Sequence, residues 1–401
     1  MFILYSLLIR IYGLCILLAA IISPKARALF SGRRKQTAVI RQKAELWQTK
    51  RKIWIHAASL GEYEMSIPII KELEQNENVA VIVSFHSPSG YEHVTFEGEN
   101  RLKIYLPLDT YSEQQEMIRL LRPDKVVFIK YEFWFNMLRV LTDESVPYYF
   151  TSLHLNSNSY LFKDQMKPFL ELIKGSRKIY CHNNSSAEIL RSHHFDNLEI
   201  FGDSRLQQVQ ENSKISTGVI RWKEAKPVIA LGSLQKEEVK IFSRIINDNT
   251  DKNFLVAPHD TNPATIKMWK KAIKEKVDLF SNLAGTSGRV LLVDTIGDLK
   301  YLYRSTHVAY VGGGFRKGPH NLLEPLVYGV PICTGPNIEK FPMAQELTKR
   351  GFVISIPEIE GIELVLSNLL RINRQQYYNA VVQFFGQQQT QIKSLIQELM
   401  A

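Results

Sequence analysis

Three stretches of this 401-residue chain combine residue types at spacings that could do chemistry. The first is Trp54-Ile55-His56-Ala57-Ala58-Ser59-Leu60-Gly61-Glu62, where an apolar run turns into a helical pattern. A carboxylate just past a strand faces the sheet edge at which open α/β folds bind ligands, so Glu62 could take a proton from an attacking hydroxyl. The same Ser59-x-x-Glu62 spacing is that of a capping box, in which both side chains only satisfy helix-end amides. The second stretch, Lys130-Tyr131-Glu132-Phe133-Trp134-Phe135-Asn136, also follows an apolar run. Glu132 would face the same cleft, dividing proton transfer and charge stabilisation with Glu62, or it is an ordinary acid at a helix start with Trp134 as core. The third runs from Gly312-Gly313-Gly314 to His320-Asn321-Leu322-Leu323-Glu324-Pro325. Gly312 and Gly313 would let backbone amides approach a phosphate before a helix start, and Glu324 could accept from both hydroxyls of a ribose. The alternative is a glycine-rich turn with Asn321 as a helix cap. The run is not G-x-G-x-x-G, so no dinucleotide cofactor is implied.

The elements that must position these groups are short apolar strands alternating with helical patterns, which argues for parallel sheets built from βα units. Strands are expected over 53–57, 79–84, 125–129, 148–152, 177–181 and 198–201, with helices over 64–75 and 112–121. A second series is expected over 228–231, 253–257, 290–293, 307–311, 331–333 and 352–354. The fold class is therefore α/β, with two Rossmann-like doubly wound domains facing a cleft. The divisions are an N-terminal domain at 53–206, a polar linker at 207–227, a C-terminal domain at 228–374 and a C-terminal helix at 375–401, its glutamine richness marking a solvated face.

Composition removes several classes. The three cysteines, Cys15, Cys181 and Cys333, lack the paired spacing of a zinc site or disulfide scaffold. The net charge of +10 is concentrated, because ten basic residues and one acid fall within 24–52. The rest of the chain is nearly neutral, which argues against a nucleic-acid partner, since that needs charge spread over a folded face.

Before the basic segment, residues 1–23 are almost wholly apolar, with Arg10 as the single charge. The positive cluster follows the apolar run instead of preceding it, so the segment does not read as a secretory signal. Spanning a bilayer takes about 20 apolar residues, and Ile11 to Ser23 is shorter than that. Either a tilted anchor with Arg10 snorkelling or a helix lying in the interface fits, with 24–52 facing anionic lipid on the cytoplasmic side. A buried core helix followed by a solvated basic stretch is the remaining reading.

The ordered set His56-Ala57-Ala58-Ser59-Leu60-Gly61-Glu62, Glu132-Phe133-Trp134-x-Asn136, Asp294-Thr295-Ile296-Gly297-Asp298-Leu299, the glycine run with His320-Asn321-x-Leu323-Glu324-Pro325, and Gly335-Pro336-Asn337 resembles the bacterial 3-deoxy-D-manno-octulosonic acid (Kdo) transferases. The resemblance covers about Trp54 to Gln345 and implies a GT-B type glycosyltransferase of the inner membrane's cytoplasmic face. It would transfer Kdo from a CMP-Kdo donor to the lipid A precursor, with the lipid acceptor on the N-terminal domain, no cofactor and no metal. It implies Glu62 as general base and Glu132 and Arg205 as transition-state support. It assigns nucleotide contacts to Pro258, His259, Ile296, Gly297, Asp298, Asn321, Leu322, Leu323 and Glu324. This chain departs from the family pattern at five positions. Where the family has Pro-Arg-His this chain has Ala257-Pro258-His259, so the arginine before the histidine is missing, with Arg316 or Lys317 as a substitute cation. Arg205 replaces a lysine, Lys130 an acid, Asp298 a glutamate and Pro319 a glycine. The competing readings are a lipid-linked transferase of the same architecture that uses a UDP-sugar, and a non-catalytic basic membrane or nucleic-acid binding protein.

Overall fold

The computed structural model describes Phe2–Gln387 and Ile392–Ala401, so four residues of the expected C-terminal helix, 388–391, lie outside the described residues, as does Met1. The chain divides into two compact units, Met1–Arg205 with Gln389–Ala401, and Leu206–Gln388.

The first unit opens with three helices, α1 (Phe2–Ile22), α2 (Pro24–Lys35) and α3 (Thr37–Leu46). Ser23 separates the first two: its hydroxyl accepts from the Ala26 amide, and Pro24 occupies the first helical position, where its missing N–H costs nothing. Arg27 donates to the carbonyls of Ala20 and Ile21 and so caps the end of α1 with a cation. A seven-stranded sheet follows, β1 (Arg51–His56), β2 (Val79–Phe85), β3 (Arg101–Tyr105), β4 (Lys125–Ile129), β5 (Tyr148–Leu153), β6 (Lys178–Cys181) and β7 (Leu198–Ile200). Its spatial order is β3-β2-β1-β4-β5-β6-β7, and every pair is parallel. β1, β2 and β4 are Val/Ile-rich because helices cover both faces, leaving buried side chains on either side. Helix α4 (Leu60–Leu73) leaves the end of β1 and packs Met65, Ile69 and Leu73 into the sheet.

The second unit holds β8 (Arg221–Trp222), β9 (Val228–Leu234), β10 (Asn253–Pro258), β11 (Val277–Leu279), β12 (Thr286–Ser287), β13 (Val290–Leu292), β14 (Val308–Val311), β15 (Ile332–Thr334) and β16 (Val353–Ser355). Strands β8 and β12 pair separately, and the other seven form a parallel sheet in the order β11-β13-β10-β9-β14-β15-β16. Two parallel, doubly wound sheets are the architecture expected from the alternating pattern. Besides the short pair β8 and β12, two strands lie outside that expectation, β3 and β11, and both are edges of the large sheets. Edge strands bury only part of their surface, and β3 interleaves Arg101 and Lys103 with its apolar residues, which hides the strand signal. The stretch expected as linker, 207–227, contains most of a helix at Arg205–Lys214 as well as β8.

Helix α1 has 21 residues with a mean hydropathy of 2.2, long and apolar enough to cross a membrane by length and composition. One of its faces is attached to the first unit. Phe2 meets Phe169 edge-on at 4.9 Å, the Tyr5 hydroxyl donates to Asp109 at 2.6 Å, and Tyr12 lies 3.1 Å from His86 Nε2. Gly13 admits this approach, since a Cβ there would stand 2.6 Å from Leu108 Cδ2. The other face, with Ile3, Leu7, Leu14 and Leu18, is exposed.

Candidate active site

In the first sheet the chain reverses its winding between β1 and β4, and the loops leaving the carboxyl ends of these two neighbours carry Glu62 and Glu132. That is the switch point at which doubly wound sheets open a crevice for ligands. The capping box does not form: Ser59 is the N-cap of α4, but its side chain caps no amide and its hydroxyl instead donates to the Glu62 carboxylate. Lys130 Nζ lies 4.0 Å from the other Glu62 oxygen. Lys130 itself has φ +62°, a left-handed backbone that is uncommon outside glycine and concentrates at functional sites. Burial, aided by Arg205, lowers its ammonium pKa, while Glu62 opposes that shift.

Glu132 is fixed by a chain of donors. The Trp54 indole can only donate, and it donates to Ser84 Oγ at 2.7 Å. The Ser84 hydroxyl can then donate to His56 Nδ1, 2.8 Å away, while His56 Nε2 lies 3.3 Å from Glu132 Oε2 and 2.8 Å from Trp134 Nε1. Trp134 Nε1 donates to the same carboxylate oxygen at 2.8 Å. Burial raises the Glu132 pKa, but the bonds from His56 and Trp134 outweigh it and the net shift is downward. Trp134 is therefore a ligand of the carboxylate as well as a packing residue.

Arg205 is held by Asp203 through a two-pronged bond, Nε to Oδ1 at 2.9 Å and Nη2 to Oδ2 at 2.5 Å. Burial alone would raise Asp203, yet the guanidinium holds its carboxyl well below the usual range. Because Lys130 senses Glu62, Glu132, Asp203 and Arg205 together, the first unit gathers all three residues expected to carry the chemistry around one ammonium group. His86 links this group to the basic helix. Its ring packs 4.8 Å from Trp134, and Arg33 Nη2 lies 3.5 Å from its Nδ1. Burial, then Arg33, lowers its pKa to about 4.

In the second unit the winding reverses between β9 and β14, and the expected nucleotide residues gather along the carboxyl edge of the sheet. Pro258 ends β10, and the His259 ring packs 4.6 Å from His320. Burial, then His259, lowers the His320 pKa to about 4. Ile296, Gly297 and Asp298 follow β13; Ile296 is 72 % exposed and Gly297 has φ +91°. Gly312 is required because a Cβ would stand 2.3 Å from the Ser233 carbonyl, and its amide is engaged by Gly232. Gly313, with φ +91°, turns the chain beside His320. Gly314 packs on Gly335, and Asn337 donates to the Gly314 carbonyl at 2.9 Å, which joins two motifs far apart in sequence. Asn321 Oδ1 accepts from the Leu323 amide at the helix start, while its Nδ2 donates to Glu324 at 3.2 Å. Leu322 and Leu323 are buried beneath them. Arg316, paired with Glu237, lines a 160 Å³ cavity with His259 and Lys236, so a cation does stand near His259 although Pro258 precedes it.

His56, Ser84 and Asp203 were not assigned roles from sequence. The available signal was a polar residue inside a buried apolar strand (His56 in β1, Ser84 in β2), since a buried polar side chain must have a partner.

Two Rossmann-like domains, with acidic residues at one switch point and a glycine-rich loop at the other, give the chain a GT-B type architecture. A family model described as 3-deoxy-D-manno-octulosonic-acid transferase (kdotransferase) matches residues 30–208. Curated relatives include the 3-deoxy-D-manno-octulosonic acid transferases of Aquifex aeolicus, 26% identical over 83% of this chain and 90% of the relative, and of Haemophilus influenzae, 25% identical over 72% of each. Among solved structures, the chain superposes on UDP-GlcNAc 2-epimerase from Neisseria meningitidis with a TM-score of 0.55, at 14% identity over 87% of this chain and 99% of that one. It also superposes on Acinetobacter baumannii MurG with a TM-score of 0.51, at 11% identity over 88% and 99%. These structures are alike in fold. The chain is similar to the Kdo transferases over most of its length, and this similarity supports a glycosyltransferase that transfers Kdo in lipopolysaccharide synthesis.

Proposed function

We propose that the protein transfers Kdo from CMP-Kdo to the lipid A precursor on the cytoplasmic face of the bacterial inner membrane. The observation that carries this reading is the state of Glu62. Its carboxylate caps nothing, sits at the switch point and is oriented by the Ser59 hydroxyl and Lys130. An acceptor hydroxyl attacks the anomeric carbon of Kdo while Glu62 takes its proton. The bond from that carbon to the CMP phosphate oxygen breaks, its electron pair leaves with CMP, and the configuration inverts. Glu132 offers negative charge to the oxocarbenium-like centre, and Arg205 positive charge to the developing anion. Pre-orientation by His56, Trp134 and Asp203 means that neither group must reorganise during the reaction.

For the donor, Glu324 supplies an acceptor for ribose hydroxyls, held by Asn321. Ile296, exposed beside Gly297, offers an apolar surface to the base, with Asp298 next to it. Gly313, Arg316 and His259 face the phosphate, Arg316 taking the place of the arginine the family carries before its histidine. No metal is required in this mechanism. Residues 1–52 attach the enzyme to anionic lipid, with the exposed side of α1 in the bilayer interface and the basic residues of α2 and α3 at the headgroups. Donor choice is tested by competition: CMP should inhibit Kdo transfer at concentrations where UDP does not, and with activity kept in EDTA. Equal inhibition by UDP would replace the donor with a UDP-sugar.

A further inference from the structure

A cavity of about 640 Å³ in the first unit lies between α1, α2 and the loop after β3. It contains the one charge that interrupts the apolar run of α1: Arg10 lines it together with Arg33 and Arg34 of α2. One carboxylate, Glu113, faces these three guanidinium groups, and it accepts from the Leu108 amide. The Arg33 Nε is buried and has no hydrogen-bond partner among the described residues. A buried, unsatisfied donor inside a cationic cavity is the mark of a site whose acceptor comes from outside the chain. The rest of the lining is apolar, notably Leu14, Leu17 and Phe30. Leu14 and Leu17 are 55% and 43% exposed, so the cavity opens onto the same apolar face that α1 presents outward.

We propose that this cavity binds one anionic glycerophospholipid of the bilayer, with its phosphate on Arg10, Arg33 and Arg34 and a stretch of acyl chain along Leu14, Leu17 and Phe30. Free phosphate would leave the apolar half uncovered, and an uncharged lipid would leave the arginines unpaired. The volume falls within the roughly 300–1,000 Å³ of small-ligand pockets, which takes one headgroup with part of a chain and excludes the bulk of a multiply acylated disaccharide. The site is thus distinct from the one that holds the acceptor. It would seat α1 at a defined depth by a stoichiometric contact, beyond the diffuse attraction of the basic segment.

The test uses the full chain in a neutral detergent, titrated with dihexanoyl-phosphatidylglycerol, dihexanoyl-phosphatidylcholine and inorganic phosphate, with calorimetry for affinity and native mass spectrometry for stoichiometry. One phosphatidylglycerol should bind per chain. Its affinity should fall about tenfold or more in the double variant Arg33→Gln/Arg34→Gln, the loss expected for about 1.4 kcal/mol. It should change less than about twofold in Lys25→Gln/Arg41→Gln, which removes the same charge outside the cavity. If the first pair fails to fold by circular dichroism, Arg34→Gln alone, at an exposed position, should weaken binding about threefold or more. Equal weakening by both pairs would reduce the effect to surface charge and overturn the proposal. So would equal binding of phosphatidylcholine, displacement by phosphate alone, or stoichiometric displacement by the lipid A precursor, which would assign the cavity to the acceptor.

Discussion

Replacing Asp203 with asparagine removes the charge that holds Arg205 while preserving the shape of the side chain. Asp203 is buried and its pair with Arg205 uses both carboxylate oxygens. Breaking a buried pair from one side costs roughly 3–5 kcal/mol. Arg205 is 25% exposed and asparagine keeps one acceptor, which brings the cost below that range, to about 2–3 kcal/mol. For a unit of this size that corresponds to a fall in Tm of about 5–10 °C. The loss must depend on pH. Asp203 is depressed in the folded protein, so its contribution is fully present above the ordinary carboxylate pKa of 3.8 and declines as pH falls below it. The gap in Tm between wild type and Asp203→Asn should therefore be full at pH 6 and smaller at pH 3. Transfer activity tests the second consequence, since a loosened Arg205 should lower kcat about 100-fold with little change in KM for the donor. A gap that is constant with pH, or a full loss of stability with unchanged kcat, would refute the assignment of Asp203 as the residue that positions Arg205.

Other outcomes follow from the same geometry. His56→Ala leaves Glu132 with Trp134 as its remaining named donor and should lower kcat about 10- to 100-fold, with His56→Asn, which can still donate near Glu132, recovering part of it. Gly313→Ala forces a Cβ to within 2.5 Å of the Gly318 carbonyl at φ +91°, so KM for CMP-Kdo should rise and stability should fall by about 1–3 kcal/mol. Leu7→Gln with Leu18→Gln, both on the exposed face of α1, should reduce recovery in the membrane fraction while leaving Tm within about 2 °C. Tyr5→Phe removes the hydroxyl that donates to Asp109, whose burial raises its carboxyl to about 6, and should cost about 1–2 kcal/mol; no effect would mean that α1 does not dock on the unit in the membrane.

The parallel sheets were legible because strands buried on both faces, such as Val79–Phe85, leave continuous apolar runs. Edge strand β3 was not, since Arg101 and Lys103 break the continuous apolar run that marks the other strands. The positions of Glu62 and Glu132 at the ends of β1 and β4 could be read from where each apolar run stops. The choice between cap and base at Ser59-x-x-Glu62 could not, because spacing is the same for both and only the direction of the Ser59 hydroxyl separates them. The contacts of His56 with Ser84, and of Gly314 with Gly335, join residues 28 and 21 positions apart through sheet register, which no local pattern encodes.

The central claim is tested most directly by measuring Kdo transfer onto the lipid A precursor in detergent, with CMP-Kdo generated in situ, by the wild type and by Glu62→Gln of matched circular dichroism and Tm. The wild type should form product, and kcat of the variant should fall by at least about 1,000-fold. A folded Glu62→Gln protein that transfers Kdo at near wild-type rate would contradict it.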